Sequence, residues 1–163
     1  MKKLIAAAVA ALAIATPAQA QHVSQADLNY TKAILDKLSK IGVTISTPTI
    51  CPKDLAGKYD RSTASLMICP VAMEDDAIGV ETIAHEAIHA AQHCVGGPLA
   101  DTVLEADRSS YAKDIAAALR GKAEHVYDST RDLTLERRVA EYEAYAFESS
   151  PELVLSILNK VCH

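Results

Sequence analysis

The chain has 163 residues, half of them hydrophobic and 23% charged, which is enough apolar material for one domain with a real core and too much for a disordered polypeptide. Sixteen Lys and Arg stand against 21 Asp and Glu, for a net charge of −5, so an electrostatic nucleic-acid binder is excluded. Aromatic residues make up only 4%, with no Trp, which argues against a stacking platform for bases or sugars and points to an aliphatic, Ala-rich, mostly helical core.

The N-terminus reads as an export signal. Lys2 and Lys3 form a short positive stretch, Leu4 to Ala15 is an uncharged apolar run, and Ala18-Gln19-Ala20 is an A-x-A cleavage site, so residues 1–20 are expected to be removed after Ala20. The apolar run is too short to span a bilayer, and no later run of about 18 apolar residues follows, so no transmembrane segment is expected. Residue 21 is Gln and not Cys, so a lipidated N-terminus is not indicated. The expected product is one domain, residues 21–163, in the periplasm or secreted. Export makes Cys51, Cys69, Cys94 and Cys162 informative: an even number in an oxidising compartment implies two disulfides, with three possible connectivities. Cys51 and Cys69 flank a predicted hairpin, while Cys94 ends a predicted helix and Cys162 ends the chain. The expected pairs are therefore Cys51–Cys69 and Cys94–Cys162. No CxxC occurs, which removes a thioredoxin-like motif and a Cys-rich zinc site.

In chain order, Ser24 is placed to N-cap a helix that ends near Gly42, with Leu28, Thr31, Leu35, Leu38 and Ile41 on its buried face. Val43 to Ile50 is β-branched and alternating and predicts a strand, with Pro48 marking an edge or a strand end. Gly57 to Asp60 reads as a turn or short strand, and Ser65 to Cys69 as another strand closed by Pro70. Glu74, Asp75 and Asp76 put negative charge at the start of a helix that runs to about Cys94 and stops at Gly96-Gly97-Pro98. Further helices are predicted over 101–120, 132–149 and 152–161. The expected class is α+β, mostly α, with a small sheet packed on a helical bundle.

Residues 85–89 read His-Glu-Ala-Ile-His, an HExxH pattern. On a helix, i and i+4 share a face about 6 Å apart, so two imidazoles can converge on one Zn²⁺ at about 2 Å each. The Glu between them does not ligate; it points at the water in the fourth coordination position and can take its proton. Ile83, Ala84, Ala87, Ile88 and Ala91 make the rest of this helix apolar, so the two histidines and the acid are carried into a buried setting. Uncompensated, such burial costs several kcal/mol, which a metal would offset. Candidate third ligands lie further along. Glu141 sits between Ala140 and Ala144 on a helix that must pack on the core, and it is preferred to Glu143. Glu136, Glu105 and Asp107 fall on other faces or another helix. Tyr145, one turn after Glu141, shares its face and is a candidate hydrogen-bond donor to a developing oxyanion. His93 is read as a polar helix-end residue, His125 as part of a polar linker, and His163 as solvated.

These residues carry a resemblance. The HExxH helix inside an uncharged stretch resembles that of the zincin metallopeptidases. The metzincin extension is missing, since Val95 stands where a further His would be. The resemblance therefore implies the gluzincin-like side, in which a Glu on a later helix is the third ligand. The segment around Glu141, Tyr142 and Glu143 is similar to the corresponding helix of small single-domain families such as the ImmA/IrrE-like peptidases. GKYD and SLMIC resemble the strand that leads into HExxH in minimal zincins. The implied function is an exported zinc peptidase. His85, His89 and Glu141 would be ligands, Glu86 general base and Tyr145 an auxiliary catalytic group. The strand Ser65–Cys69 would offer its edge to a peptide or protein substrate. A catalytically silent zincin-like binding module is the alternative, and a disulfide-stapled helical protein without metal the third reading.

Overall fold

The computed structural model describes residues 23–99 and 123–163. The expected signal segment and the helix read over 101–120, with Glu105 and Asp107, lie outside them. Helix α1 (Gln25–Lys40) is capped as expected: the Ser24 hydroxyl accepts from the Asp27 amide, and the Asp27 side chain accepts from the Ser24 amide in return. Its buried face is centred on Thr31, Ile34 and Leu38. Leu28 and Leu35, read as buried, only flank that stripe, because the axis of the face runs through Ile34.

Three short strands follow: β1 (Thr44–Ser46), β2 (Gly57–Asp60) and β3 (Ser65–Ile68). They form one sheet in the order β1-β3-β2, with β1 parallel and β2 antiparallel to β3. Two expectations are corrected here. The strand expected over 43–50 ends at Ser46, two residues before Pro48. The strand Ser65–Cys69, assigned a free edge for a substrate, is the central strand with a neighbour on each side. The free edges belong to β1 and β2.

A short helix that was not expected, α2 (Pro70–Glu74), precedes α3 (Asp76–Val95), which starts within the expected acidic cluster, where the Asp75 side chain caps it by accepting from the amides of Ala77 and Ile78. Gly96, at φ 81°, ends α3 in the left-handed conformation that favours glycine. Helix α3 is buried around most of its girth, at Ile83, Ala84, Ala87, Ile88 and Ala91 among others, and packs against α1, α2, β2, β3 and the two last helices. The final segment holds α4 (Ala123–Thr130), α5 (Leu135–Phe147) and α6 (Pro151–Val161). The stretch around His125, read as a linker, is helical in α4. Helix α5 starts at Leu135 and not Asp132, because Thr134 provides its N-cap.

The class is small α+β, mostly helical. Its core joins Ile34 and Leu38 of α1, Leu66 and Ile68 of β3, the Ala-rich face of α3, Ala144 and Phe147 of α5, and Val154 and Leu158 of α6. Disulfides link Cys51 to Cys69 and Cys94 to Cys162, the pairs expected from the sequence. Among the described residues, no helix is long and apolar enough to cross a membrane.

Candidate metal centre

Helix α3 presents His85 and His89 on one face, one turn apart, with ring centroids 5.0 Å from each other. Helix α5 packs across that face and brings Glu141 to both rings. Its Oε2 lies 3.4 Å from His85 Nε2, and its Oε1 lies 3.5 Å from His89 Nε2. These three side chains offer donor atoms within 4.8 Å of one another. A tetrahedral zinc with bonds of about 2.0–2.1 Å holds neighbouring donors roughly 3.3 Å apart, so the separations suit such an ion.

The opposite ring nitrogens define the tautomers. His85 Nδ1 lies 2.9 Å from Glu148 Oε2, and His89 Nδ1 lies 2.9 Å from Gln92 Oε1. The Gln92 amide nitrogen donates to Ala140 O and to Glu143 Oε2, both at 2.9 Å. A carbonyl oxygen only accepts, so this network orients the amide and leaves its oxygen facing His89. His89 Nδ1 must then donate, and its Nε2 is turned toward Glu141. His85 is arranged in the same way by Glu148. Both Nε2 atoms and the Glu141 carboxylate face one another, an arrangement that is favourable only with positive charge among them.

The electrostatics agree. Burial disfavours the His85 imidazolium, but hydrogen bonds to Glu141 and Glu148 and the charges of Glu86 and Glu148 outweigh it and push its pKa up to about 9. Burial likewise works against the ionised Glu141, and hydrogen bonds to His85 and His89 outweigh that and hold its carboxyl well below the usual range.

Glu86, between the two histidines, accepts a 2.7 Å hydrogen bond from the Tyr59 amide on β2. Gly57 makes that approach possible: a Cβ there would lie 2.5 Å from Thr82 Cγ2 and 3.1 Å from Met67 O. Tyr145 packs its ring edge-on against His85, with centroids 4.7 Å apart, and its hydroxyl is hydrogen-bonded to Ser129 of α4. Burial raises its pKa against the Ser129 hydrogen bond, so it stays a neutral phenol at pH 7.

Glu143 is fully buried and turned away from the histidines; its Oε2 accepts from Gln92 Nε2 and from the Leu99 amide at 2.8 Å. His93 is exposed near the end of α3 and bonds the Tyr59 hydroxyl through Nδ1 at 2.7 Å, and His163 is exposed. Sequence reasoning passed over Glu148 and Gln92. Glu148 lies seven residues, or two turns, beyond Glu141, and Gln92 lies three beyond His89; helical spacing was the available signal in both cases.

Fold and cluster together define a small α+β protein with a His-His-Glu constellation between two packed helices. The chain belongs to the family of DUF8637, a domain of unknown function, whose model matches residues 73–163. That span contains His85, Glu86, His89, Glu141 and Glu148. Neither the curated proteins nor the solved structures provide a match.

Proposed function

We propose that the chain is an exported zinc-dependent peptidase of the zincin type, with His85, His89 and Glu141 as ligands. The observation that carries this reading is the convergence of both Nε2 atoms on the two oxygens of Glu141, with each Nδ1 tied to an acceptor behind it. Such outer tethers are the usual support of metal-bound histidines. Bound there, zinc would act as a Lewis acid and lower the pKa of water toward neutrality.

The chain's own groups supply the rest. Glu86, oriented by the Tyr59 amide, takes the proton of the attacking water and delivers it to the departing amine nitrogen. Tyr145, a neutral phenol beside His85, donates to the oxygen that gains charge at the scissile carbonyl, provided its hydroxyl leaves Ser129. Two disulfides and the signal-like N-terminus support an oxidising compartment, the periplasm or the medium.

The test contrasts two acids. Native protein is expected to carry about one zinc per chain, held by three side chains with the fourth position open to water. Glu86→Gln should keep zinc and lose about 10²-fold or more in peptide turnover, the usual worth of a positioned base. Glu141→Gln should lose zinc and activity together. Loss of zinc from Glu86→Gln with retention in Glu141→Gln would reverse the roles, and absence of zinc from the native protein would remove the reading.

A further inference from the structure

A cleft of about 420 Å³ opens beside His89 and Glu141, between β2 and α5. Its lining includes Lys58 and Arg61 on the β2 side and Arg137 on α5, one turn before Glu141. All three cations are exposed, and among the described residues none forms an ion pair. The neighbouring acids each have hydrogen-bond or ion-pair partners of their own, and the charge of Lys58 also acts on Asp60. Asp60 accepts from the Ser62 amide and hydroxyl at 2.9 and 2.6 Å. Glu86 accepts from the Tyr59 amide, and Glu141 faces the two histidines. Among the residues that line the cleft, three cations stand against one carboxylate, Glu141, in a chain of net charge −5.

We propose that this cleft binds a carboxylate-bearing peptide, with Lys58, Arg61 and Arg137 as the groups that select it. The proposal rests on the peptidase reading for what happens to the peptide, and on the cleft alone for its charge. The net negative charge of the rest of the surface disfavours long polyanions such as nucleic acid, whereas a short segment meets only the cationic walls. Side-chain carboxylates of Asp and Glu, or the free carboxylate at a chain end, would supply the same chemistry. Single exposed pairs contribute little, but three around one cleft are expected to give a preference of roughly tenfold that falls with salt.

The experiment uses zinc-loaded Glu86→Gln protein, which should hold peptide without cutting it. Fluorescent decapeptides carrying glutamates, or glutamines at the same positions, are titrated as free acids and as C-terminal amides. Tighter binding of the Glu peptides, closing in about 0.5 M salt and lost in Arg137→Glu or in Lys58→Glu with Arg61→Glu, is the expected result. A preference that follows the free acid and not the Glu content assigns the terminal carboxylate as the source. Zinc content and melting temperature of the variants separate lost selection from lost folding. Equal binding of Glu and Gln peptides, no binding of any, or a preference that survives the charge reversals would overturn the proposal. Wild-type protein is then given the same peptides. Acid-selective binding without cleavage leaves the cleft assignment standing and removes the peptidase reading; cleavage without acid selection does the reverse.

Discussion

Each histidine of the candidate centre is held by the nitrogen that faces away from Glu141. Glu148 holds His85, and Gln92 holds His89. Gln92 is itself held by Ala140 O and by the buried Glu143. Glu148→Gln keeps an acceptor oxygen but removes the charge, so zinc affinity should fall about 10- to 100-fold while the fold persists. Competition against a chromophoric chelator measures this; an unchanged affinity would mean that Glu148 does not support the ring. The residues at the centre were legible because HExxH states its own geometry, and because Glu141 lies between small apolar neighbours on a packed helix. Glu141 and Glu143 are only two residues apart. The apolar neighbours favoured Glu141, but what separates the two is the face α5 turns to α3, which exists only once the helices have docked. Glu148 and Gln92 escaped notice because their role exists only once two helices have docked.

The contact between β2 and α3 depends on one missing side chain. Gly57→Ala would place a methyl against Thr82 Cγ2 and Met67 O, and β2 would have to move off the helix. Overpacking of this kind costs about 1–3 kcal/mol. It should also draw the Tyr59 amide away from Glu86, so kcat should fall while zinc stays bound. Thr82→Ser removes the methyl that obstructs it, so the double variant should recover stability in urea unfolding. A double variant no better than Gly57→Ala would place the conflict at the Met67 carbonyl instead. Most helices were readable from caps and stops such as Ser24, Gly96 and Pro151. The sheet was less so. Strands of three or four residues carry too little alternation to show which is central, and only the pairing of Ser65–Ile68 on both sides decides it. Helix α4 was missed because its polar sequence reads as linker.

At the scale of the whole molecule, the two disulfides differ in the length of chain they close. Cys51–Cys69 spans 18 residues and Cys94–Cys162 spans 68, so loop entropy gives about 3 kcal/mol for the first and about 4 for the second. Replacing Cys94 and Cys162 by Ser should therefore lower the melting temperature more than replacing Cys51 and Cys69, as read by calorimetry. The reverse order would mean that strain in the native fold, or structure left in the unfolded chain, dominates loop length.

The longer bridge also leaves α5 without a covalent tie. Cys94 fastens α3 to the end of the chain, yet α5, between them in sequence, is held to α3 without a covalent bond: by packing, by the hydrogen bonds of Gln92 to Ala140 O and Glu143 and of His85 to Glu148, and by the face that holds Glu141. An ion shared by His85, His89 and Glu141 would be a third cross-link, reversible where the other two are covalent. Protein saturated at a hundred times its dissociation constant would gain about 2.7 kcal/mol from such a bond. A chelator would then act as a denaturant aimed at α5, raising amide hydrogen exchange there first and leaving the disulfide-stapled helices protected.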